Sequence, residues 1–303
     1  MALPDHRVIS IQSHVVSGYV GNKSAVFPMQ VLGYEVDAVN SVQLCCHTGY
    51  KHFQGQVLND SDLRTLFDGL KLNDIHQYSH LLTGYVGSES FLHEVIRVVK
   101  ELREANPDIT YVCDPVLGDN GHFYVPKELM PIYRDQLLPL ADIITPNQFE
   151  AELLSGVTIN DEESALRAIS ILHDKGIKTV ILSSFEAGKE DKLVTLGSTV
   201  KGNEKTVCRL EFSRLDCTFT GTGDLFSALM LVWTHKHPDN LLLACEKALS
   251  TMQAVLKRTL LSAQELAGPG NVPTAAQREL RLVKSKQDIE EPPSLVAGKY
   301  LEL

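Results

Sequence analysis

The sequence predicts an α/β fold in which a mostly parallel central sheet carries helices on both faces, with a late antiparallel hairpin. Two observations support this prediction. Apolar runs of strand length alternate with amphipathic stretches of helix length, which is the pattern of parallel strands joined by crossover helices. Hydrophobic residues make up 44% of the 303 residues, enough to fill a sizeable core. We expect a single domain over residues 1–303.

The elements follow in a regular order along the chain. Strands are predicted over Arg7–Ile11, Gly33–Val42, His80–Thr83, Ile109–Asp114, Asp142–Thr145 and Lys178–Ser184. Helices are predicted over Ser24–Leu32, Ser61–Leu70, Ser90–Glu104, Lys127–Leu138, Glu162–Lys175, Leu225–His235 and Leu241–Leu260. The hairpin would pair Leu193–Leu196 with Val207–Phe212, and the polar segment Gly188–Lys205 is interpreted as a loop. Gly268–Pro273 is expected to be a surface loop, and the sequence leaves open whether the tail Lys284–Leu303 is ordered.

Composition and charge exclude several classes of protein. The net charge of −10 argues against nucleic acid as the main partner, because phosphate backbones select basic surfaces. No apolar run approaches the length of a membrane span, and residues 1–7 lack the pattern of a signal peptide. The six cysteines include no C-x-x-C pair, which favours a reduced, cytosolic protein.

Polar residues accompany the carboxyl ends of the predicted strands, the edge at which open parallel sheets bind ligands. They are Gln12-Ser13-His14, Asn40-Ser41, Thr83-Gly84-Tyr85, Asp114-Pro115, Thr145-Pro146-Asn147 and Ser183-Ser184. Any one of these groups could be an ordinary turn or helix cap. Six such groups on one edge favour a ligand site there.

The most informative motif is Gly221-Thr222-Gly223-Asp224, which leads directly into the apolar run Leu225–Val232. Glycines let the backbone turn tightly and approach a ligand closely. If a helix starts here, its first amides are unpaired and attract anions, especially phosphate. Asp224 adds a possible general base, so the motif suits a kinase that acts on a small alcohol. An ordinary capped helix with Asp in its first turn is the structural alternative.

Two further segments carry acidic residues at strand ends. The loop from Asp114 to Asp119 holds two carboxylates that could bind Mg²⁺ at a phosphate site. In the segment after the next strand, Thr145 is expected to cap a helix with Pro146 in its first turn. That structural interpretation explains Asn147 and Glu150 less well, so these two are candidates for binding nucleotide phosphate and metal-bound water.

Other signatures of nucleotide or hydrolytic chemistry are absent from the sequence. It contains no G-x-x-x-x-G-K-[ST] and no G-x-G-x-x-G after the first strand, which excludes a P-loop enzyme and disfavours a dinucleotide dehydrogenase. It also lacks the G-x-S-x-G of a nucleophile elbow.

These motifs in combination resemble the ribokinase-like superfamily. The resemblance rests first on GTGD at 221–224, DPVLGD at 114–119 and TPNQFEAELL at 145–154. It narrows to the eukaryotic pyridoxal kinases through SIQSHV at 10–15, GYVGN at 18–22, DAVNSVQ at 37–43, HTGY at 47–50 and LTGY at 82–85. The match covers nearly the whole chain. It implies transfer of the γ-phosphate of ATP to the 5′-hydroxyl of pyridoxal, pyridoxine and pyridoxamine, and it implies a homodimer.

The resemblance also implies roles for individual residues. Asp224 matches the catalytic base, and Gly221, Thr222 and Gly223 match the anion hole, with Gly221 and Asp224 also bordering the substrate. The vitamin site would comprise Ser13, Val42, His47, Thr48 and Tyr85. Positions near ATP are Asp114, Asn147, Glu150, Ser183, Ser184, Leu215, Cys217, Thr222 and Gly223.

Cation sites are implied in the same way. Asp119 and Glu150 match the neighbours of Mg²⁺, and a monovalent cation, K⁺ or Na⁺, would be held by Asp114, Thr145 and Ser183. Three features depart from the family pattern: the short loop after Asp119, the run Leu44-Cys45-Cys46 before His47, and Ser183 in place of Thr.

Two alternatives to a pyridoxal kinase stay open at this point. A hydroxymethylpyrimidine kinase shares the fold, but Asp224 disfavours it because that group carries Cys after Gly-Thr-Gly. A catalytically silent binding protein on a kinase fold is the other, and the intact Asp119, Glu150 and Asp224 argue against it.

Overall fold

The structure is a computed structural model that describes residues 6–186, 191–202 and 204–302. The strands are β1 (Arg7–Val15), β2 (Glu35–Leu44), β3 (Gly55–Val57), β4 (His80–Thr83), β5 (Thr110–Cys113), β6 (Gly118–Asp119), β7 (His122–Phe123), β8 (Ile143–Ile144), β9 (Thr179–Phe185), β10 (Lys192–Lys201), β11 (Glu204–Ser213) and β12 (Gly298–Tyr300). The α-helices are α1 (Asn22–Val31), α2 (Asp60–Leu72), α3 (Glu89–Ala105), α4 (Leu129–Ile132), α5 (Gln148–Ser155), α6 (Glu162–Asp174), α7 (Thr222–Lys236), α8 (Leu241–Ala267) and α9 (Lys286–Glu290).

One ten-stranded sheet organises the described chain, in the order β12-β11-β10-β9-β8-β5-β4-β1-β2-β3. The strands from β9 through β8, β5, β4 and β1 to β2 are mutually parallel. Antiparallel pairs extend both edges: β3 on β2, and the β10–β11 hairpin on β9 with β12 outside it. The predicted α/β class, with its late hairpin, is confirmed.

Alternating side chains of the central strands fill two separate cores. Ile9 and Tyr111 belong to the core formed with α2, α3, α5 and α6, whereas Val8 and Val112 belong to the core formed with α1, α7 and α8. Successive strand residues point to opposite faces, so a strand buried on both sides shows a continuous apolar run. This explains why short runs such as Tyr111-Val112-Cys113 identify central strands.

Several predicted elements need correction. The first strand continues to Val15, so Ser13 lies inside β1 instead of following it. The predicted helix Lys127–Leu138 is broken into α4, a π-helical turn and a 3₁₀ turn that ends at Leu140. Pro131 and Pro139 lie within this segment, and Pro removes a backbone hydrogen bond and disrupts regular helix.

The predicted loop Gly188–Lys205 is wrong over its described part. Residues 188–190 and 203 lie outside the described residues, but Lys192–Lys201 form a ten-residue strand, longer than the predicted Leu193–Leu196. The lysines at the two ends of β10 are partly or fully exposed, which is why the segment resembles a loop in sequence. Hydrogen bonding to β11 along its whole length, and to β9 over its middle, makes it a strand. The tail is ordered where it is described: β12 pairs with β11, and α9 contacts α1 and α8.

A histidine cluster lies at the opposite end of the strands from the predicted site. The ring of His80 lies 4.5 Å from that of His235, which in turn lies 4.9 Å from the ring of His6. Tyr34 hydrogen-bonds to His235. Burial lowers the pKa of His80 to about 3, with smaller contributions from His235 and His6.

Candidate active site

Helix α7 begins in a turn that only glycine can occupy. Gly221, the N-cap, has φ = 82°, and a Cβ built on it would lie 2.0 Å from the carbonyl oxygen of Tyr19. The hydroxyl of Ser24 donates a 3.0 Å hydrogen bond to the Gly221 carbonyl. The turn is therefore packed against the loop between β1 and α1, and the first amides of α7 lack partners within the helix. Such an end can hold a phosphoryl oxygen.

Asp224 occupies the third position of this helix. It is partly buried, and its carboxylate accepts a hydrogen bond from the amide of Gly21. Burial raises the pKa of Asp224, and the bond from Gly21 opposes that shift. A carboxylate with a raised pKa is a stronger base than an exposed one, which suits proton abstraction from an alcohol.

Asp114 joins this turn to a second group of carboxylates. A Cβ on Gly223 would lie 3.3 Å from the Asp114 Oδ2 atom, so β5 and α7 meet here. Burial raises the pKa of Asp114 well above its ordinary value; the charges of Glu150 and Asp224 add to this, and a hydrogen bond from Ser227 opposes it. Acidic groups that raise one another's pKa indicate a place for positive charge.

Asn147 and Glu150 form a capping box at the start of α5. Asn147 Oδ1 accepts from the Glu150 amide at 2.9 Å, and Glu150 Oε2 accepts from the Asn147 amide at 2.9 Å. The prediction that Thr145 caps this helix, with Pro146 inside its first turn, is wrong, because the helix starts at Gln148. The start of the helix, which the sequence interpretation takes to explain Asn147 and Glu150 less well, therefore gives both residues a structural role.

Both residues also reach the loop after β5. Asn147 donates to the Gly118 carbonyl at 2.8 Å, and Glu150 Oε1 accepts from the Leu117 amide at 3.0 Å. Burial raises the pKa of Glu150 to about 8; backbone hydrogen bonds from Asn147, Leu117 and Gly118 oppose the shift, and the charge of Asp119 adds to it. Asp119 lies close enough to act on Glu150 electrostatically.

Two neighbours complete this acidic region. Asp119 is partly exposed in the short β6–β7 hairpin, where the amide of Asn120 donates to its Oδ1 at 2.8 Å. Thr145 is buried, and within the described chain its Oγ1 has no hydrogen-bond partner. A buried hydroxyl without a partner is costly, so Thr145 fits a position that contacts a ligand or ion.

The remaining residues predicted to lie near ATP occupy β9 and the β11–α7 loop. Ser183 and Ser184 lie within β9 and are partly buried; the Ser183 amide donates to the Pro146 carbonyl at 2.9 Å. Leu215 and Cys217 lie in the loop that leads to Gly221, where the Cys217 amide donates to the Leu215 carbonyl. Ser183 is thereby tied to the segment that carries Thr145 and Asn147.

Ser13 is linked to Asp224 through Gly21. The pairing of β1 with β2 shifts register between Gln12 and His14, which leaves Ser13 unpaired in that ladder. A Cβ on Gly21 would lie 1.9 Å from the Ser13 carbonyl oxygen, and the Gly21 amide binds Asp224. Ser13 and Asp224 therefore both contact Gly21.

The other predicted vitamin-site residues lie around the end of β2. Val42 is buried, Tyr85 is partly buried with its carbonyl accepting from Ser41 at 2.6 Å, and Thr48 is exposed. His47 is buried, and its Nδ1 accepts from the Gly49 amide at 3.1 Å. Its Nε2 is then free to carry the proton and face a carboxylate.

That carboxylate is Glu279, which the sequence interpretation missed. Its oxygens accept from Tyr50 Oη at 2.9 Å and from the Tyr19 amide at 2.8 Å, and its Oε1 lies 3.4 Å from His47 Nε2. Burial alone would raise the pKa of Glu279, but hydrogen bonds from His47, Tyr19 and Tyr50 hold it below its ordinary value. No local signal could have found it, because 229 residues separate Glu279 from Tyr50.

Two negative observations concern the described residues. None of their helices combines the length and apolar character needed to cross a bilayer. Among the same residues, no three His, Cys, Asp or Glu side chains are already gathered as a metal-binding group. A cavity of about 430 Å³ lies elsewhere, lined among others by Thr110, Thr179 and His235 at the opposite end of the strands.

Comparisons with known proteins agree over nearly the full chain. The Phosphomethylpyrimidine kinase family profile matches residues 77–271. Pyridoxal kinase of Sus scrofa is 52% identical, covering 98% of this chain and 96% of that protein. Pyridoxal kinase of Homo sapiens is 50% identical, covering 97% and 98%. The solved pyridoxal kinase of Leishmania donovani in complex with ADP and pyridoxamine superposes with a TM-score of 0.91 at 36% identity, covering 98% of this chain and 100% of that one.

Proposed function

We propose, since this chain belongs to the pyridoxal kinase family, that it phosphorylates the 5′-hydroxyl of pyridoxal, pyridoxine and pyridoxamine with ATP. Its fold is ribokinase-like. The observation that carries the proposal is the position of Asp224 in the glycine turn of α7, beside the acidic cluster of Asp114 and Glu150. The family profile covers the middle and later part of the chain, whereas pyridoxal kinases match nearly all of it.

The chemistry follows from the position of the groups. Asp224 accepts the proton of the 5′-hydroxyl while that oxygen attacks the γ-phosphorus; an O–P bond forms and the bond to the β-phosphate oxygen breaks, releasing ADP. The anion hole at Gly221, Thr222 and Gly223 directs backbone amides at the transferring phosphoryl oxygens. Phosphoryl transfer depends mainly on such positioning and charge stabilisation.

The acidic region fits bound cations. Burial raises the pKa of both Asp114 and Glu150, and neighbouring carboxylates add to it: Glu150 and Asp224 for Asp114, and Asp119 for Glu150. The buried Thr145 hydroxyl has no partner in the described chain. We assign Mg²⁺ to Asp119 and Glu150, with Asp114 nearby, and a monovalent cation (K⁺ or Na⁺) to Asp114, Thr145 and Ser183. When bound there, Mg²⁺ would neutralise charge on the ATP phosphates, and carboxylate oxygens are the ligands that this ion prefers.

The vitamin and the nucleotide would approach the turn from opposite sides. On the vitamin side are Ser13, Val42, His47, Thr48 and Tyr85, with Ser13 linked to Asp224 through Gly21. On the nucleotide side are Asn147, Ser183, Ser184, Leu215 and Cys217, on β9 and on the segments that lead into α5 and α7. This division supports a direct transfer across the start of α7.

Three broader assignments belong to the same proposal. The single continuous sheet supports one domain over residues 1–303. We also propose a cytosolic location, which the six free thiols support, and a homodimer, which rests on the resemblance to the family. Sedimentation velocity of the purified chain would test the dimer.

The central experiment measures ATP consumption with pyridoxal, pyridoxine and hydroxymethylpyrimidine in parallel. Turnover with the first two and not the third supports the proposal, whereas preference for hydroxymethylpyrimidine would identify the alternative kinase. An absence of turnover with all three would indicate a silent binding protein.

The role of Asp224 is tested by Asp224→Asn. We expect nucleotide binding to be nearly intact and turnover to fall roughly a hundredfold or more, the usual scale for a positioned base. Near-normal turnover would mean that Asp224 is only a helix-end residue. Calorimetric titration with ADP checks the binding half of the prediction.

A further inference from the structure

Two consecutive thiols lie together in the segment that leaves β2. The Sγ atoms of Cys45 and Cys46 are 3.5 Å apart. Consecutive side chains of a strand point to opposite faces, so such proximity requires a bend. The bend occurs because β2 ends at Leu44, and the chain then turns through residues 45–54 toward β3. The two thiols therefore form a preassembled pair.

The two thiols differ in environment. Cys45 is exposed, and its Sγ accepts a 3.3 Å hydrogen bond from the amide of Gln54. That hydrogen bond, followed by the one from Cys46, lowers the pKa of Cys45. Cys46 is buried, its single S–H can donate either to Cys45 Sγ or to the His52 carbonyl oxygen 3.4 Å away, and burial raises its pKa. Cys45 is thus suited to attack as a thiolate, with Cys46 held behind it as a second thiol.

The pair is directly connected to the predicted vitamin site. His47, which contacts Glu279, follows Cys46 in the chain, and Thr48 comes next. The Cys45 carbonyl accepts from the Ser17 amide at 2.9 Å, which fixes this bend against the β1–α1 loop. A conformational change of the peptide between Cys45 and Cys46 would therefore displace His47 and Thr48, which follow it directly in the chain.

We propose that Cys45 and Cys46 form a reversible oxidation site for a low-molecular-weight disulfide, and that its closure distorts the vitamin pocket. The Cys45 thiolate attacks one sulfur of a disulfide such as glutathione disulfide, and one glutathione leaves as its thiol. Cys46 then gives up its proton and attacks the Cys45 sulfur of the mixed disulfide, releasing the second glutathione. Two cysteines are oxidised to one vicinal disulfide, and one glutathione disulfide is reduced to two thiols.

Geometry makes this disulfide both disruptive and easily reversed. An S–S bond is about 2.0 Å long, so the sulfurs must close by about 1.5 Å from their present separation of 3.5 Å. Adjacent Cα atoms are about 3.8 Å apart across a trans peptide, shorter than the usual range of about 4.4–6.8 Å for disulfides. The ring is therefore strained, and strained disulfides are the more readily reduced ones.

The test treats the purified full chain with glutathione disulfide, or with reduced glutathione as control, and then analyses the peptide that contains both cysteines by mass spectrometry. In the wild type we expect this peptide to become lighter by two hydrogens and the KM for pyridoxal to rise severalfold, with both changes reversed by dithiothreitol. Cys45→Ser should resist both changes. Cys46→Ser should retain one glutathione on Cys45.

The oxidation itself does not depend on the proposed function, whereas its effect on KM does. A wild-type peptide without the internal disulfide would overturn the proposal, and this measurement needs no variant. Equal inactivation of Cys45→Ser would overturn it as well, because another thiol would then be responsible. A disulfide that forms while the KM stays unchanged would refute the link to the pocket. Failure of the proposed function would be recognised separately, by absent turnover in the reduced wild type.

Discussion

Substituting Gly221 by alanine tests whether the turn before α7 is part of the catalytic machinery. The residue has φ = 82°, and an added Cβ would lie 2.0 Å from the Tyr19 carbonyl oxygen. Cβ contacts under 3.0 Å are essentially never found, so the turn and Tyr19 must separate by about 1 Å, the difference between these two distances. The backbone amides of the proposed anion hole would move with the turn.

The substitution therefore has two costs, one from the left-handed backbone and one from the displacement. A left-handed backbone costs an L-residue about 1–2 kcal/mol of stability. A misplacement of about 1 Å at a reacting centre can cost on the order of 100-fold in rate, which corresponds to roughly 2.7 kcal/mol of barrier. We therefore expect Gly221→Ala to lower kcat/KM about 100-fold, through kcat more than through the KM for pyridoxal.

Gly156→Ala is the matched control. Gly156 has φ = 78° at the end of α5, and no atom lies within 4 Å of the position of its added Cβ. This variant should lose only the stability that a left-handed backbone costs, about 1–2 kcal/mol in urea unfolding, while its initial rates of ADP formation stay close to wild type. If both variants lose kcat/KM equally, or neither does, the turn does not position the transferring phosphoryl group.

Three further predictions concern the metal, the vitamin and pH. Asp119→Ala should lose activity that returns partly as the Mg²⁺ concentration is raised. Glu150→Ala should also lower the melting temperature, because it removes a capping-box partner. A deficit in Asp119→Ala that no Mg²⁺ concentration changes would contradict the metal role. Ser13→Ala and Thr48→Val should each raise the KM for pyridoxal severalfold and leave that for ATP unchanged, since one hydrogen bond is worth roughly 0.5–1.5 kcal/mol; equal effects on both substrates would disprove this placement. The folded pKa of His80, about 3, lies below its unfolded value of 6.5, so the unfolded chain binds the proton first as pH falls and stability is lost between those values. From pH 7 to pH 5 the wild type should lose about 2 kcal/mol of unfolding free energy through His80, and His80→Asn should not show this loss. If urea unfolding of the two proteins has the same pH dependence, the protonation of His80 is not responsible.

Local patterns were sufficient for the central strands and for the order of the fold. The run Tyr111-Val112-Cys113 is apolar on both faces, and only a strand between two helical layers requires that. Strand ends were harder to predict. Ser13 was placed after β1 because polar residues resemble a turn, yet hydrogen bonding to β2 carries the strand on to Val15. Because strand pairing is a tertiary interaction, the length of a strand is not encoded in its own segment alone.

Motif resemblance anticipated the grouping of Asp114, Glu150 and Asp224, and the structure brings these three together electrostatically. Their roles in catalysis and metal binding stay predictions. The capping box of Asn147 and Glu150 is not predicted from the sequence, because Thr145 two residues earlier is also a good N-cap. Both residues are compatible with a helix start by sequence, and only the backbone conformation distinguishes them.

The alternation of strands and helices and the glycine turn before Asp224 can be predicted from the sequence, since both depend on residues close together in the chain. The hydrogen bonds that Glu279 accepts from Tyr19 and Tyr50 beside His47 are instead set by tertiary packing. Tertiary packing also brings the sulfurs of Cys45 and Cys46 within 3.5 Å of each other. Such contacts depend on how distant segments pack and where a strand bends, and no local propensity or periodicity specifies either.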